Sequence, residues 1–192
     1  MKTVVLIDGG HLRACTKVAG KKYDNALIVA FAALCTVAPE YLLRVFYYDS
    51  PQFEGTIPLP VSGGKTEFKS NDHWLRELAQ NERFAVRRGT IGFRGWVPKK
   101  IPISGKALTD ADFKPSFEQK GVDMRIGLDI ASFCDGHPVE RVVLVSADTD
   151  MIPAMKHARK AGLEVVIIRI GATKLHDNLL AHADLVRAVA LP

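Results

Sequence analysis

Three short acidic clusters stand out in this 192-residue chain. They are Asp8 in Val5-Leu6-Ile7-Asp8-Gly9-Gly10, Asp123 in Lys120-Gly121-Val122-Asp123, and the pair Asp148 and Asp150 in Ser146-Ala147-Asp148-Thr149-Asp150. Asp8 and Asp148 each follow an apolar, β-branched run, Val4 to Ile7 and Val142 to Val145. Such runs read as buried parallel strands. In an open parallel sheet the site lies outside the carboxyl ends of the strands, so these carboxylates are expected to face one crevice. Clustered carboxylates repel one another and persist by binding a cation, sharing protons or facing water. An oxygen-only donor set without Cys or His partners points to Mg²⁺ or Mn²⁺ rather than Zn²⁺. Each Asp also has an ordinary reading, as a turn residue or helix cap after its strand. Residues alone leave both readings open.

A second feature is charge. Seven basic residues, Arg83, Arg87, Arg88, Arg94, Lys99, Lys100 and Lys106, fall in a stretch with no acidic residue. Phe84, Phe93 and Trp96 are interleaved with them. Basic side chains neutralise phosphates and aromatic rings stack unpaired bases, so Arg87, Arg88, Arg94, Trp96, Lys99 and Lys100 are the candidate nucleic-acid contacts. The competing reading packs the aromatics into a core and leaves the charges on a solvated face. Phe84 fits that better, whereas the acid-free length favours a functional stripe.

Other chemistries fit poorly. Gly64-Lys65-Thr66 resembles the end of a P-loop, but Leu59 stands where its first Gly belongs. Asp8-Gly9-Gly10 lacks dinucleotide-site spacing. Asp148-Thr149-Asp150 opens like a calcium loop that Ile152, Pro153 and Arg159 do not continue. Cys15, Cys35 and Cys134 form no C-x-x-C pair and read as buried thiols in a reducing compartment. No Ser or Cys has a nucleophile's context. An aspartyl phosphatase is the weakest candidate, since that chemistry wants D-x-D where Asp8-Gly9-Gly10 stands.

The elements that must position these residues follow from pattern. Helices are expected over 25–37, from Asn71 or Asp72 to Gln80, and over 122–134, 153–161 and 174–183. Strands are expected over 4–7, 42–48, 84–93, 142–145, 164–170 and 186–189. A long loop is expected over 51–65, and a weak hairpin over 96–103. The β-α-β order, interrupted at about 51–117, then α-β-α-β-α, implies one α/β domain over 1–192 with a mostly parallel sheet. Composition agrees: 47% apolar and 24% charged residues exclude a disordered chain, and the net charge of +5 suits a polyanionic partner. No segment reads as a signal peptide or membrane span, so a cytoplasmic location with no membrane partner is expected. A homodimer is a candidate assembly, because one small domain offers only a shallow groove.

The three acidic segments, with Asp129 further along the helix from Val122 and Leu179 with Ala183-Asp184 near the end, resemble the motifs of the NYN-domain family. These are PIN-like nucleases, and the resemblance is to their LabA-like branch. It implies a PIN-like three-layer α/β/α sandwich carrying an inserted basic loop or hairpin. It also implies a metal-dependent ribonuclease that hydrolyses RNA at Asp8, Asp123, Asp148 and Asp150, which would hold Mg²⁺ or Mn²⁺. His11, Lys120, Asp129 and Ser146 would support them. His11 and Ala147 stand where many members carry Asn and Gly. That departure keeps a non-catalytic RNA-binding or regulatory module as the alternative.

Overall fold

The computed structural model describes residues 1–103 and 107–192. Lys106 of the basic stretch lies outside the described residues. Six parallel strands form the central sheet. They are β1 (Lys2–Asp8), β2 (Tyr41–Asp49), β5 (Phe84–Arg88), β8 (Arg141–Val145), β9 (Glu164–Ile170) and β10 (Leu185–Val189), in the order β10-β9-β8-β1-β2-β5. Apolar residues run continuously along the inner strands because both faces are covered. Leu6, Tyr48, Leu144 and Ile167 point to one face, under α4 (Val122–Phe133) and α5 (Ile152–Lys160). Ile7, Tyr47, Val145 and Ile168 point to the other, under α1 (Gly9–Val18), α2 (Asn25–Leu34) and α3 (His73–Leu78). The result is the expected three-layer sandwich. Among the described residues no helix is long and apolar enough to cross a membrane.

The topology fixes where a site can form. From β1 the chain crosses over to β2 on one side, and from β8 it crosses to β9 on the other. Neighbouring strands whose connections part in this way open a crevice at their carboxyl ends. In register, Ile7 lies opposite Val145, which brings Asp8 and Ser146 to the same rim.

The middle of the chain departs from expectation. Residues 51–117 are not one insertion, because α3 and β5 belong to the sandwich, with Leu75 and Leu78 fully buried in its core. Two antiparallel excursions flank them: β3 (Gly55–Pro58) with β4 (Lys65–Phe68), and β6 (Thr90–Pro98) with β7 (Phe113–Lys120). The expected loop over 51–65 thus contains a strand. Pro58 ends that strand at its edge, where a missing N–H costs nothing. The expected strand over 84–93 is two strands broken at Gly89. A side chain there would meet the Lys120 carbonyl oxygen at 2.8 Å and Val122 at 2.9 Å. β6 pairs with β7, not with residues just after Trp96. Phe53, Phe68, Phe93 and Phe117 pack the two hairpins together, with ring centroids 5.2–6.3 Å apart. The helix expected over 174–183 shortens to α6 (Asp177–Leu180).

Candidate active site

Asp8 ends β1 and caps α1, which begins at once rather than after a turn. Its Oδ1 accepts from the Gly10 and His11 amides at 2.9 and 3.2 Å. A side chain at Gly9 would collide with the Tyr47 hydroxyl and the Asp49 carboxylate, so glycine lets the helix start this close to the sheet. Ser146 is fully buried and joins two carboxylate segments. Its hydroxyl accepts from the Asp148 amide at 3.1 Å and faces Asp8 Oδ2 at 3.4 Å. Asp148 in turn accepts from the Asp150 amide at 2.8 Å. Capping and chemistry therefore coexist in Asp8 and Asp148, since a carboxylate has two oxygens and caps with one.

A cleft of about 400 Å³ opens here, lined by Asp8, Gly10, His11, Gln119, Val122, Asp123, Ala147 and Asp148. Asp150 is exposed outside this lining, yet close enough to raise the Asp123 pKa. Burial, then repulsion by Asp148, Asp8 and Asp150, lifts Asp123 above the ordinary carboxylate range. Burial also lifts Asp8, against amide hydrogen bonds, the Ser146 hydroxyl and the charge of His11. His11 is shifted down by burial, which Asp8 only partly offsets, and its ring lies 3.8 Å from Cys15 Sγ. Among the described residues none of the four carboxylates makes an ion pair.

Other candidates lie elsewhere. Asp129 receives both Arg87 Nε and Nη2, at 2.9 and 3.1 Å, and the Tyr48 hydroxyl at 2.8 Å. It ties α4 to the sheet, and Arg87 is occupied by it. Arg88 pairs with Asp72 at 2.7 Å, and Arg94 pairs with Glu118. Trp96 donates its indole N–H to the Pro58 carbonyl at 2.8 Å and packs edge-on against Phe93. Lys99 and Lys100 are exposed and make no ion pair among the described residues. Lys120 turns to Glu118 at 3.5 Å, and its neighbour Gln119 lines the cleft instead. Strand alternation decides this, and the β6–β7 pairing that would have signalled it was not legible in the sequence. Among the described residues no three His, Cys, Asp or Glu side chains are grouped as a ready-made metal site.

A family model described as the NYN domain matches residues 2–189. The chain belongs to the NYN-domain family. No curated protein matches it in sequence. A solved structure of a protein of unknown function from Vibrio parahaemolyticus is similar in fold. The TM-score is 0.53 at 18% identity, covering 98% of this chain and 92% of that one. At that identity the likeness supports the fold alone. In this NYN domain, a PIN-like nuclease-type domain, the acidic motifs converge on the switch point of the sheet.

Proposed function

We propose that this NYN domain is a metal-dependent ribonuclease, most simply an endonuclease, that hydrolyses RNA phosphodiesters at the β1–β8 rim. One observation carries the reading: carboxylates from three separate segments crowd one cleft and make no ion pair among the described residues. Leaving Asp123 repelled by three neighbours is costly, and a divalent ion would relieve that repulsion. Asp8, Asp123, Asp148 and Asp150 would hold Mg²⁺ or Mn²⁺. Mg²⁺ keeps several waters and takes only one or two carboxylates with substrate phosphate oxygens, which suits carboxylates spread along a cleft. When bound, such an ion supplies positive charge at the scissile phosphate and lowers the pKa of a water.

The chain's own residues do the rest. The Asp8 cap and the Ser146 hydroxyl hold the β1 and β8 ends in fixed relation. Gln119 lines the cleft with an amide able to donate to a phosphate oxygen. Lys99 and Lys100, exposed and without an ion pair among the described residues, provide positive charge for the backbone of the strand. Half-buried His11 lines the same cleft, its pKa shifted down by burial against the pull of Asp8.

The test is cleavage of a mixed-sequence single-stranded RNA with Mg²⁺ or Mn²⁺. It compares wild type with an identically purified Asp148→Asn/Asp150→Asn protein. Cleavage by wild type alone supports the assignment. Equal cleavage by both sinks it. Salt-sensitive binding without cleavage at any divalent ion would favour the non-catalytic RNA-binding module.

A further inference from the structure

A second, larger cleft lies on the same rim of the sheet, beyond the carboxyl end of β2. Its volume is about 700 Å³, within the range of small-molecule sites. Gln119 belongs to both clefts, so β7 forms a shared wall between them. Arg13, Tyr23, Asn25, Trp74 and Glu77 complete the part of the lining that matters here.

The lining is rigid where a flat ligand would rest. Arg13 is held by the buried carboxylate of Asp49 and lies over the Tyr23 ring, 5.2 Å from its centre. Its side chain is still 44% exposed, so a fixed guanidinium plane faces the cleft region. Asp49 is also tied to the Tyr47 hydroxyl at 2.9 Å and the Ser50 amide at 2.8 Å. The Tyr23 hydroxyl bonds Tyr47 and reaches the Gly9 carbonyl, immediately after Asp8. Trp74 packs edge-on against Tyr47 at 6.1 Å. Aromatic rings and guanidinium planes are the surfaces on which unpaired bases stack. The wall also offers acceptors. Asn25 gives its NH₂ to the Trp74 carbonyl at 3.0 Å, which fixes the amide orientation; its Oδ1 is buried in the wall and has no hydrogen-bond partner among the described residues. Glu77 adds a carboxylate at the rim.

We propose that this cleft receives one nucleobase of the RNA strand whose phosphate lies over the carboxylates, and that it favours bases carrying an exocyclic amino group. Adenine, cytosine and guanine present such a donor, whereas uracil does not. The inference rests on the ribonuclease reading and names a base-selecting site for it.

The test is equilibrium binding of end-labelled ten-residue oligo(A), oligo(C) and oligo(U) RNA in EDTA, where no cleavage intervenes. Trp74→Ala removes a stacking surface. Ala26→Met, at an exposed position of α2 that lines the cleft, fills the space without disturbing packing. Melting curves establish that both variants are folded. Wild type is expected to bind oligo(A) and oligo(C) more tightly than oligo(U). Each variant should weaken binding about tenfold or more and flatten the preference. Folded variants that bind all three oligomers like wild type overturn the proposal. Adenosine monophosphate binding as tightly as oligo(A) would also overturn it, by marking a free-nucleotide site. If wild type shows the preference in EDTA but cuts no RNA with Mg²⁺ or Mn²⁺, the ribonuclease reading fails and the base site stands. If RNA is cut and both variants keep wild-type KM and base preference, the base site fails and the ribonuclease reading stands.

Discussion

The acidic rim and the basic stretch of this protein are both dense in charge, but they are built in opposite ways. On the rim, Asp8, Asp123, Asp148 and Asp150 come together without an ion pair among the described residues, and burial, then repulsion by its three neighbours, lifts the Asp123 pKa. In the basic stretch, Arg87, Arg88 and Arg94 are each matched by a carboxylate from elsewhere, Asp129, Asp72 and Glu118. Paired charge in the fold is architecture. Charge that the fold assembles and leaves unpaired must be balanced from outside, by solvent, protons or a ligand. Glu40 provides an internal control. It is a carboxylate only 2% exposed, yet Arg141 and Arg187 both bond it. Burial pushes its pKa up, but those two guanidinium groups outweigh burial and hold it below the usual range.

Replacing rim carboxylates should have the largest effect, and on activity alone. Asp8→Asn or Asp123→Asn is expected to lower kcat/KM for RNA by at least about 10²-fold, the scale of losing one electrostatic stabiliser. Asp123→Asn should do so without lowering Tm. A single-turnover cleavage assay beside a melting curve checks both; a large drop in Tm for Asp123→Asn would erase the contrast.

Glu40→Gln should act the other way round. It strips the buried charge that two partly buried guanidinium groups share, and breaking such a cluster costs about 3–5 kcal/mol. Urea denaturation measures it. A loss below 1 kcal/mol would mean that pairing does not distinguish the two kinds of carboxylate.

Within the basic stretch the same division should hold on a smaller scale. Arg87→Ala leaves the Asp129 carboxylate with the Tyr48 hydroxyl alone among the described residues and uncovers the Phe46 ring, over which Arg87 lies at 5.3 Å. It should cost about 1–2 kcal/mol of stability, with little change in RNA affinity. Lys99→Ala with Lys100→Ala should leave stability alone and flatten the salt dependence of RNA binding, by about 0.7 in log–log slope per lost phosphate contact. Binding titrations from low to high salt separate the two variants.

The smallest effect concerns pH. Asp8 and Asp123 have folded pKa values raised above those of the unfolded chain. The folded state therefore binds their protons more tightly. Their contribution to stability is greatest in acid, below the unfolded value, and is lost as pH rises through the raised folded values. In EDTA, the Tm of wild type relative to Asp123→Asn should fall as pH climbs from 4 to 7. Parallel Tm curves would show that the repulsion is too weak to matter.

The sandwich was largely readable in advance. β1, β8 and β9 announce themselves as continuous apolar runs, because a strand covered on both faces needs no alternation. α4 follows its period from Val122 and stops one residue before Cys134. The excursions were harder. β7 carries Pro115 inside it and pairs with residues fifteen to thirty positions earlier in the chain. Its reading depended on a partner that the local pattern does not reveal. For the same reason Lys120 was expected near the site, where Gln119 stands instead.

Positions along the chain determined where the acidic residues fall relative to the strands. Parallel strands share a carboxyl end, so Asp8 and Asp148 had to share a rim once β1 and β8 were neighbours. Tertiary structure alone decided which charges are balanced. Arg87 meets Asp129 forty-two residues away, and Arg88 meets Asp72 sixteen residues away, so an acid-free stretch of sequence is not an acid-free surface. Coulomb interactions depend on distance in space and on burial, and neither is a property of spacing along the chain.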